Sequence, residues 1–309
     1  MTLQFSDIAR QAAADGAVSA DEILALRRAG WGDGAISSVE AEAVMTLNDA
    51  LAARTAEWCD FFVEAIGEFV INGSEPKGYV GDDTAHWLIS RLDRDGRLDS
   101  MAELELLVRV LERAANAPEH LKTYTLAQIE KAVLTGTGPT RGGDELSPNC
   151  VGDAEARLLR RVLFAAGGDA PAAVSRAEAE LLFRLKDASR GAANGPEWKR
   201  LFVQGVGNYL MGYVSPTAQI DRARAAELET FVADHDSHVG RFLGRMAKAS
   251  PNAFGAVFGR KGAERDRFAE LAAAERVTRE ESAWLESHIH ADGEVDEYEQ
   301  ALLDFLAEG

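Results

Sequence analysis

Nearly every segment of the chain carries its apolar residues at helical rather than strand spacing. Trp58, Phe62, Ile66 and Phe69 step by four, four and three residues, which lays them along one face of a helix. Trp198, Phe202, Val206 and Tyr209 repeat the pattern. An aromatic stripe of this kind can line a ligand pocket, but its commoner use is a core seam between helices. Gly67 and Gly207 interrupt the two stripes, where glycine costs about 1 kcal/mol relative to alanine, so a close helix-helix approach is expected at both. Polar residues mark the helix starts. Ser19/Glu22, Ser37/Glu40, Ser100/Glu103, Ser175/Glu178, Thr278/Glu281 and Asp296/Glu299 each fit a capping box, and Thr125/Gln128 is a weaker seventh. In such a box the cap oxygen takes the amide three residues on, and the Glu returns to the cap amide. The expected fold is all-α.

The pattern is also duplicated. Glu22–Arg28 (EILALRR) aligns with Glu155–Arg161 (EARLLRR), which sets Trp31 opposite Phe164. Ile36-Ser37 with Glu40 and Glu42 matches Val174-Ser175 with Glu178 and Glu180, and Leu47 and Asp49 then face Leu185 and Asp187. The two aromatic stripes follow in register, as do Gly78-Tyr79-Val80 and Gly212-Tyr213-Val214. The match resumes where Trp87-Leu88 and Asp95-Gly96 meet Trp284-Leu285 and Asp292-Gly293. Copy one thus spans about 15–112, and copy two 148–214 plus 277–309, interrupted by an insertion at 215–276. In domain terms the expectation is a first helical domain with a trailing helix at 1–137, a linker at 138–147 that overlaps the glycine-rich stretch Gly136–Gly143, and a second domain at 148–309.

Composition narrows the function classes. The 309 residues hold 33 Lys and Arg against 51 Asp and Glu, a net charge of -18 that opposes contact with nucleic acid or anionic lipid over most of the surface. Part of that charge belongs to the capping boxes, where a carboxylate sits at the positive end of the helix dipole. Cys59 and Cys150 lie far apart, without a disulfide framework or zinc-ligand spacing, which fits a reducing cytosol. Neither a signal-peptide h-region nor a stretch of about 20 apolar residues is present. P-loop, HExxH, G-x-S-x-G and dinucleotide signatures are missing.

Chemistry concentrates at the Asp-Gly turns Asp15-Gly16, Asp33-Gly34, Asp95-Gly96 and Asp292-Gly293. With Gly96 at position 6 of an EF-hand loop, Asp93, Asp95 and Asp99 fall at 3, 5 and 9, but Arg91 takes position 1 and Glu103 comes one residue late. With Gly293 at position 6, Asp292, Asp296 and Glu299 fall at 5, 9 and 12, while His288 and His290 take 1 and 3. These turns resemble degenerate EF-hands, and the repeated Asp-Gly turn followed by a capped helix is similar to the bacterial tellurite-resistance TerB-like helical domains. The resemblance implies an all-helical protein with an acidic, cation-associated surface, and Ca²⁺ as the cation. By residue it carries over to Asp93, Asp95, Asp99 and Glu103, and to Asp292, Asp296 and Glu299. Read without it, an Asp-Gly turn ahead of a capping box needs no metal.

Two other features stand apart. His288, His290 and Asp292 could ligate a transition metal on extended chain, as could His235 and His238 from a helix, although neither set has a fixed third or fourth ligand. Between Arg241 and Arg267 there are seven basic residues against two acids, interleaved with Phe242, Leu243, Met246, Phe254, Val257 and Phe258. That stretch fits an amphipathic contact to a protein partner, to lipid, or to the acidic repeats themselves. The expected function is a non-enzymatic cytosolic binding or adaptor protein, cation-associated or TerB-like and stress-associated. An enzyme with an unrecognised site and a scaffold without a ligand are the rival classes.

Overall fold

A computed structural model describes residues 2–31, 35–93, 96–141, 148–167, 173–210, 279–289 and 294–308. These residues form twelve α-helices and one short 3-10 turn, with an isolated bridge between Tyr79 and Asn116 and no strand among them. The first half holds α1 (Thr2–Asp15), α2 (Ala20–Gly30), α3 (Ser38–Ala50), α4 (Ala56–Asn72), α5 (Asp82–Leu92) and α6 (Met101–Arg113). After α7 (Glu119–Thr135) come α8 (Asp153–Leu163), α9 (Arg176–Ala188), α10 (Pro196–Leu210), α11 (Arg279–Ile289) and α12 (Glu297–Glu308). Helices α2 to α6 have 11, 13, 17, 11 and 13 residues, and α8 to α12 have 11, 13, 15, 11 and 12. No helix among the described residues is long and apolar enough to cross a membrane.

The starts of α2, α3, α6 and α9 are complete capping boxes at Ser19, Ser37, Ser100 and Ser175. At α12 the Glu299 amide donates to Asp296 Oδ1 at 2.9 Å, and the Asp296 amide donates back to Glu299 Oε2 at 2.9 Å. Thr278 lies outside the described residues. Thr125 is not a helix start: α7 begins at Glu119 behind Pro118, and the buried Thr125 hydroxyl donates to the Leu121 carbonyl one turn back, at 2.8 Å. A Thr that satisfies its hydroxyl inside a helix looks, in sequence, like one that caps the next helix. Trp31 and Phe164, matched in the sequence, are the residues that end α2 and α8.

Packing follows the stripes. Helix α4 lies against α2, α3 and α6, and α10 lies against α8, α9 and α12. Trp58, Phe62 and Ile66 are fully buried, as are Trp198, Phe202 and Val206. At the stripe ends Phe69 meets Trp87 edge-on at 5.1 Å, and Tyr209 meets Trp284 edge-on at 4.9 Å. Both stripes are therefore core seams rather than pocket linings, and each buried side chain contributes about 1.5–3 kcal/mol. The close approach expected at the glycines holds at Gly207, where an added Cβ would stand 2.6 Å from the Phe305 ring. It does not hold at Gly67, whose nearest neighbour, Leu106, would be at an ordinary 3.8 Å.

Helix α7 joins the halves. It packs on α5 and α6 behind it and on α8 and α9 ahead of it, much as α1 packs on α2 and α3. One apolar cluster runs from Phe5 to Leu302 without a break between the halves. Main-chain bonds cross the seam from Gly167 N to Leu111 O (2.8 Å) and from Ala117 N to Gly167 O (2.7 Å). Arg161 on α8 forks onto Glu105 and Glu112 of α6, at 2.6–2.8 Å. Within the expected linker, Pro139–Arg141 form the 3-10 turn, and both Pro139 and Arg141 are buried. Residues 142–147 and the whole insertion at 215–276, with its basic stretch 241–267, lie outside the described residues.

Candidate functional site

Of the glutamates that close capping boxes among the described residues, all but Glu22 are buried. Glu40, Glu103, Glu155, Glu178 and Glu299 each occupy the third position of their helix and are all buried. Burying a carboxylate is costly unless it is paired or hydrogen-bonded, so their partners define the local chemistry. In the second half each such carboxylate meets a cation. Glu155 pairs with Arg141 (3.1 Å), Glu178 with Lys122 (2.5 Å) and Glu299 with Lys186 (2.6 Å). In the first half Glu40 is held by its own Ser37, and Glu103 by the Asp99 and Ser100 amides and the Asn48 side-chain amide.

The Ca²⁺ candidates fall within this scheme. Asp296 and Glu299 are brought together, and between them lies the Lys186 ammonium, 2.8 Å from Asp296 and 2.6 Å from Glu299, with Asp187 at 2.9 Å. The Lys186 and Glu299 side chains are each only 3% exposed. Burial opposes charge on Lys186, but its three carboxylate neighbours win and raise its pKa. Burial likewise works against Asp296, yet Lys186 and the Glu299 and Tyr298 amides hold its carboxyl below the ordinary value. In the first half Asp93 accepts the Gly96 amide at 2.6 Å, and Glu103 accepts those of Asp99 and Ser100. A lysine stands here too: Lys131 donates to the Gly96 carbonyl at 2.9 Å. Arg91, at loop position 1, turns instead to Glu42 and Asp49 of α3. Burial pushes the Glu103 carboxyl up, and burial together with Asp93 and Glu103 pushes the Tyr124 phenol up. Asp95 and Asp292 lie outside the described residues, among which no group of three or more His, Cys, Asp or Glu could hold a metal ion.

Of the histidine candidates, His288 is packed on Phe183 (4.7 Å) and Trp284 (4.5 Å), with Nδ1 3.0 Å from the Trp284 carbonyl oxygen. His290, His235 and His238 lie outside the described residues. His86 stacks on His120 at 4.2 Å, joining α5 to α7.

A site that sequence reasoning missed lies between α7 and α9. Where α1 lies closely along α3, α7 touches α9 more sparsely, leaving a half-open groove of about 450 Å³. Leu126, Val174 and Leu181 line its apolar part, with the small Ala127 and Ala177 at its walls. The buried Lys122–Glu178 pair, 13% and 8% exposed, is set into the lining, and Arg184 reaches across to Glu130 at 2.9 Å. Glu119 and Glu180 complete the charged part of the lining, and Arg176 holds Glu180 below its ordinary pKa. No repeat signal announces this groove, because α7 has no counterpart in the sequence alignment. Lys186 was legible only as the residue that takes the place of Asn48 when Leu47 and Asp49 are set against Leu185 and Asp187. No family model, no curated protein and no solved structure matches the chain.

Proposed function

We propose that the protein is a non-enzymatic helical binding or adaptor protein that engages its partner through the groove between α7 and α9. The observation that carries this reading is the groove itself: an apolar cleft about 450 Å³ in volume, with charged groups in its lining, between helices that touch each other less than α1 and α3 do. Clefts of this size with a few convergent polar groups are the usual place for recognition. The chain is further read as a tandem duplication with an insertion in its second copy. Matched helix lengths, matched packing partners of α4 and α10, and the sequence register support that reading. The likeness to EF-hand and TerB-like units remains one of turn motif. Ca²⁺ is not a premise of the proposal, because Asp296 and Glu299 already share the Lys186 ammonium.

The test is quantitative affinity capture with the full chain and with Ala177→Trp, which fills the groove from an exposed position. A protein recovered by the wild type and lost from the equally stable variant supports the reading; equal recovery by both excludes the groove. Thermal melts in millimolar Ca²⁺ address the cation separately, since a ligand bound only by the folded state must raise the midpoint. Deleting 241–262 does the same for the basic stretch as a second contact.

A further inference from the structure

The groove is framed by two helix faces with the same rhythm. On α7 the exposed Glu119, Thr123 and Ala127 follow one another at intervals of four, and on α9 Ala177, Leu181 and Arg184 are spaced by four and three. From Glu119 to Glu130 the α7 wall is about 17 Å long, or three helical turns. Side chains arranged this way leave a channel into which the ridge of a third helix fits, with apolar anchors at i, i+3 or i+4, and i+7. The lining has four carboxylates and two cations. Both cations are engaged, Lys122 with Glu178 and Arg184 with Glu130, and Lys122 also reaches the Leu163 carbonyl at 3.4 Å. Glu119 and Glu180 are the carboxylates of the lining that neither cation faces, and Glu180 meets Arg176 only across exposed surface, at 3.0 Å. The whole chain carries -18, so the wider field has the same sign.

We infer that the α7–α9 groove receives a basic amphipathic helix of a partner protein, with its apolar stripe on Leu126, Val174 and Leu181 and its cations beside Glu119 and Glu180. This rests on the binding-protein reading above and adds the chemistry of the partner. An acidic helix would set like charges against Glu119 and Glu180, and a neutral apolar ligand would leave their field unused. Complementarity of this kind governs partner choice and encounter rate more than total affinity.

The probes are two labelled peptides of about 14 residues, four helical turns, with identical leucine positions and either lysine or glutamate elsewhere. Each is titrated by fluorescence anisotropy against the full chain, against Ala177→Trp, against the double variant Glu119→Lys/Glu180→Lys, and against the chain lacking 241–262. The lysine peptide is expected to bind the wild type at least tenfold more tightly than the glutamate peptide, to weaken at least tenfold on charge reversal, and to lose binding to Ala177→Trp. Circular dichroism melts of each variant separate loss of the groove from loss of the fold. No binding of the lysine peptide to folded wild type overturns the proposal. Binding only after removal of 241–262 also overturns it, and identifies the occupant as the chain's own basic stretch. Equal binding of both peptides, abolished by Ala177→Trp, overturns the basic partner while leaving the groove as a docking site. Capture lost from Ala177→Trp in the preceding experiment, without lysine-peptide binding here, separates failure of this inference from failure of the function reading.

Discussion

The third-position glutamates of the two halves solve one problem differently. In the first half the buried carboxylates rest on neutral donors, Glu40 on Ser37 and Glu103 on Asn48 and two amides. In the second half Glu155, Glu178 and Glu299 each hold a cation. Two of those cations, Arg141 and Lys122, come from chain that precedes α8. The caps of the second half are therefore completed by the end of the first, and a similar helix pattern does not make the halves interchangeable. The contrast is sharpest where Asn48 is matched by Lys186. Asn48 offers Oδ1 to the Trp58 indole at 3.1 Å, whereas an ammonium has nothing to offer an indole. Trp198 Nε1 accordingly has no hydrogen-bond partner among the described residues.

Removing Lys186 breaks the comparison most severely. Lys186→Met leaves Glu299 and Asp296 buried without their counter-charge and is expected to destabilise the fold by about 3–5 kcal/mol. Asn48→Leu removes an uncharged side chain that Arg54, Trp58 and Glu103 share, breaks no buried ion pair, and should cost clearly less. Urea midpoints of the two variants measure this, and equal losses would mean that the charge on residue 186 is immaterial.

The tryptophans come next. Trp58→Phe loses a made hydrogen bond, although Asn48 Oδ1 still accepts from Arg54 at 2.9 Å, while Trp198→Phe removes a donor that has no acceptor among the described residues. The first should therefore cost about 1 kcal/mol more than the second, although the volume lost is the same. Chemical denaturation of the pair, with near-ultraviolet spectra to confirm native packing, decides it.

The smallest effect is on pH dependence, and its sign differs between the halves. Glu103 has its folded-state pKa raised above 4.5, so the folded chain keeps that proton longer, and stability falls as pH rises from 4.5 through the folded value. Asp296 has its folded-state pKa lowered below 3.8, so its contribution is present above 3.8 and is lost as pH falls through the folded value. Glu103→Gln should flatten the decline above pH 4.5, and Asp296→Asn should flatten the loss below 3.8. Stability profiles that keep the wild-type shape in both variants would contradict the assignment of the two carboxyls.

How much of this was legible in the sequence depends on how local each interaction is. Ser37 and Glu40 are three residues apart, and Trp58, Phe62 and Ile66 lie on one helix, so caps and seams could be read directly. The Thr125 pattern misled because its hydroxyl finds an acceptor within its own helix. Lys186 meets Asp296 and Glu299 more than a hundred residues on, and Lys122 meets Glu178 across a groove, so both partnerships depend on how helices are set side by side. Asp296 and Glu299 could be picked out by their spacing, but what faces them is decided by α9. The groove was invisible for the same reason: it arises where α7 and α9 stand apart, which no single segment encodes.

The long stretch of chain between α10 and α11 has a consequence for synthesis. Helix α10 buries Trp198, Phe202 and Val206 partly against α12, and Trp284 of α11 covers Phe183 at 5.5 Å, yet both covering helices lie beyond residue 278. At ribosomal rates of about 5–20 residues per second, the apolar faces of α9 and α10 emerge on the order of 5–20 s before the last of α12 is made. The first half, whose α4 and α6 follow each other closely, has no such delay. During each round of translation the second half thus presents unfinished apolar surface for seconds, and chaperone demand and premature aggregation should concentrate there.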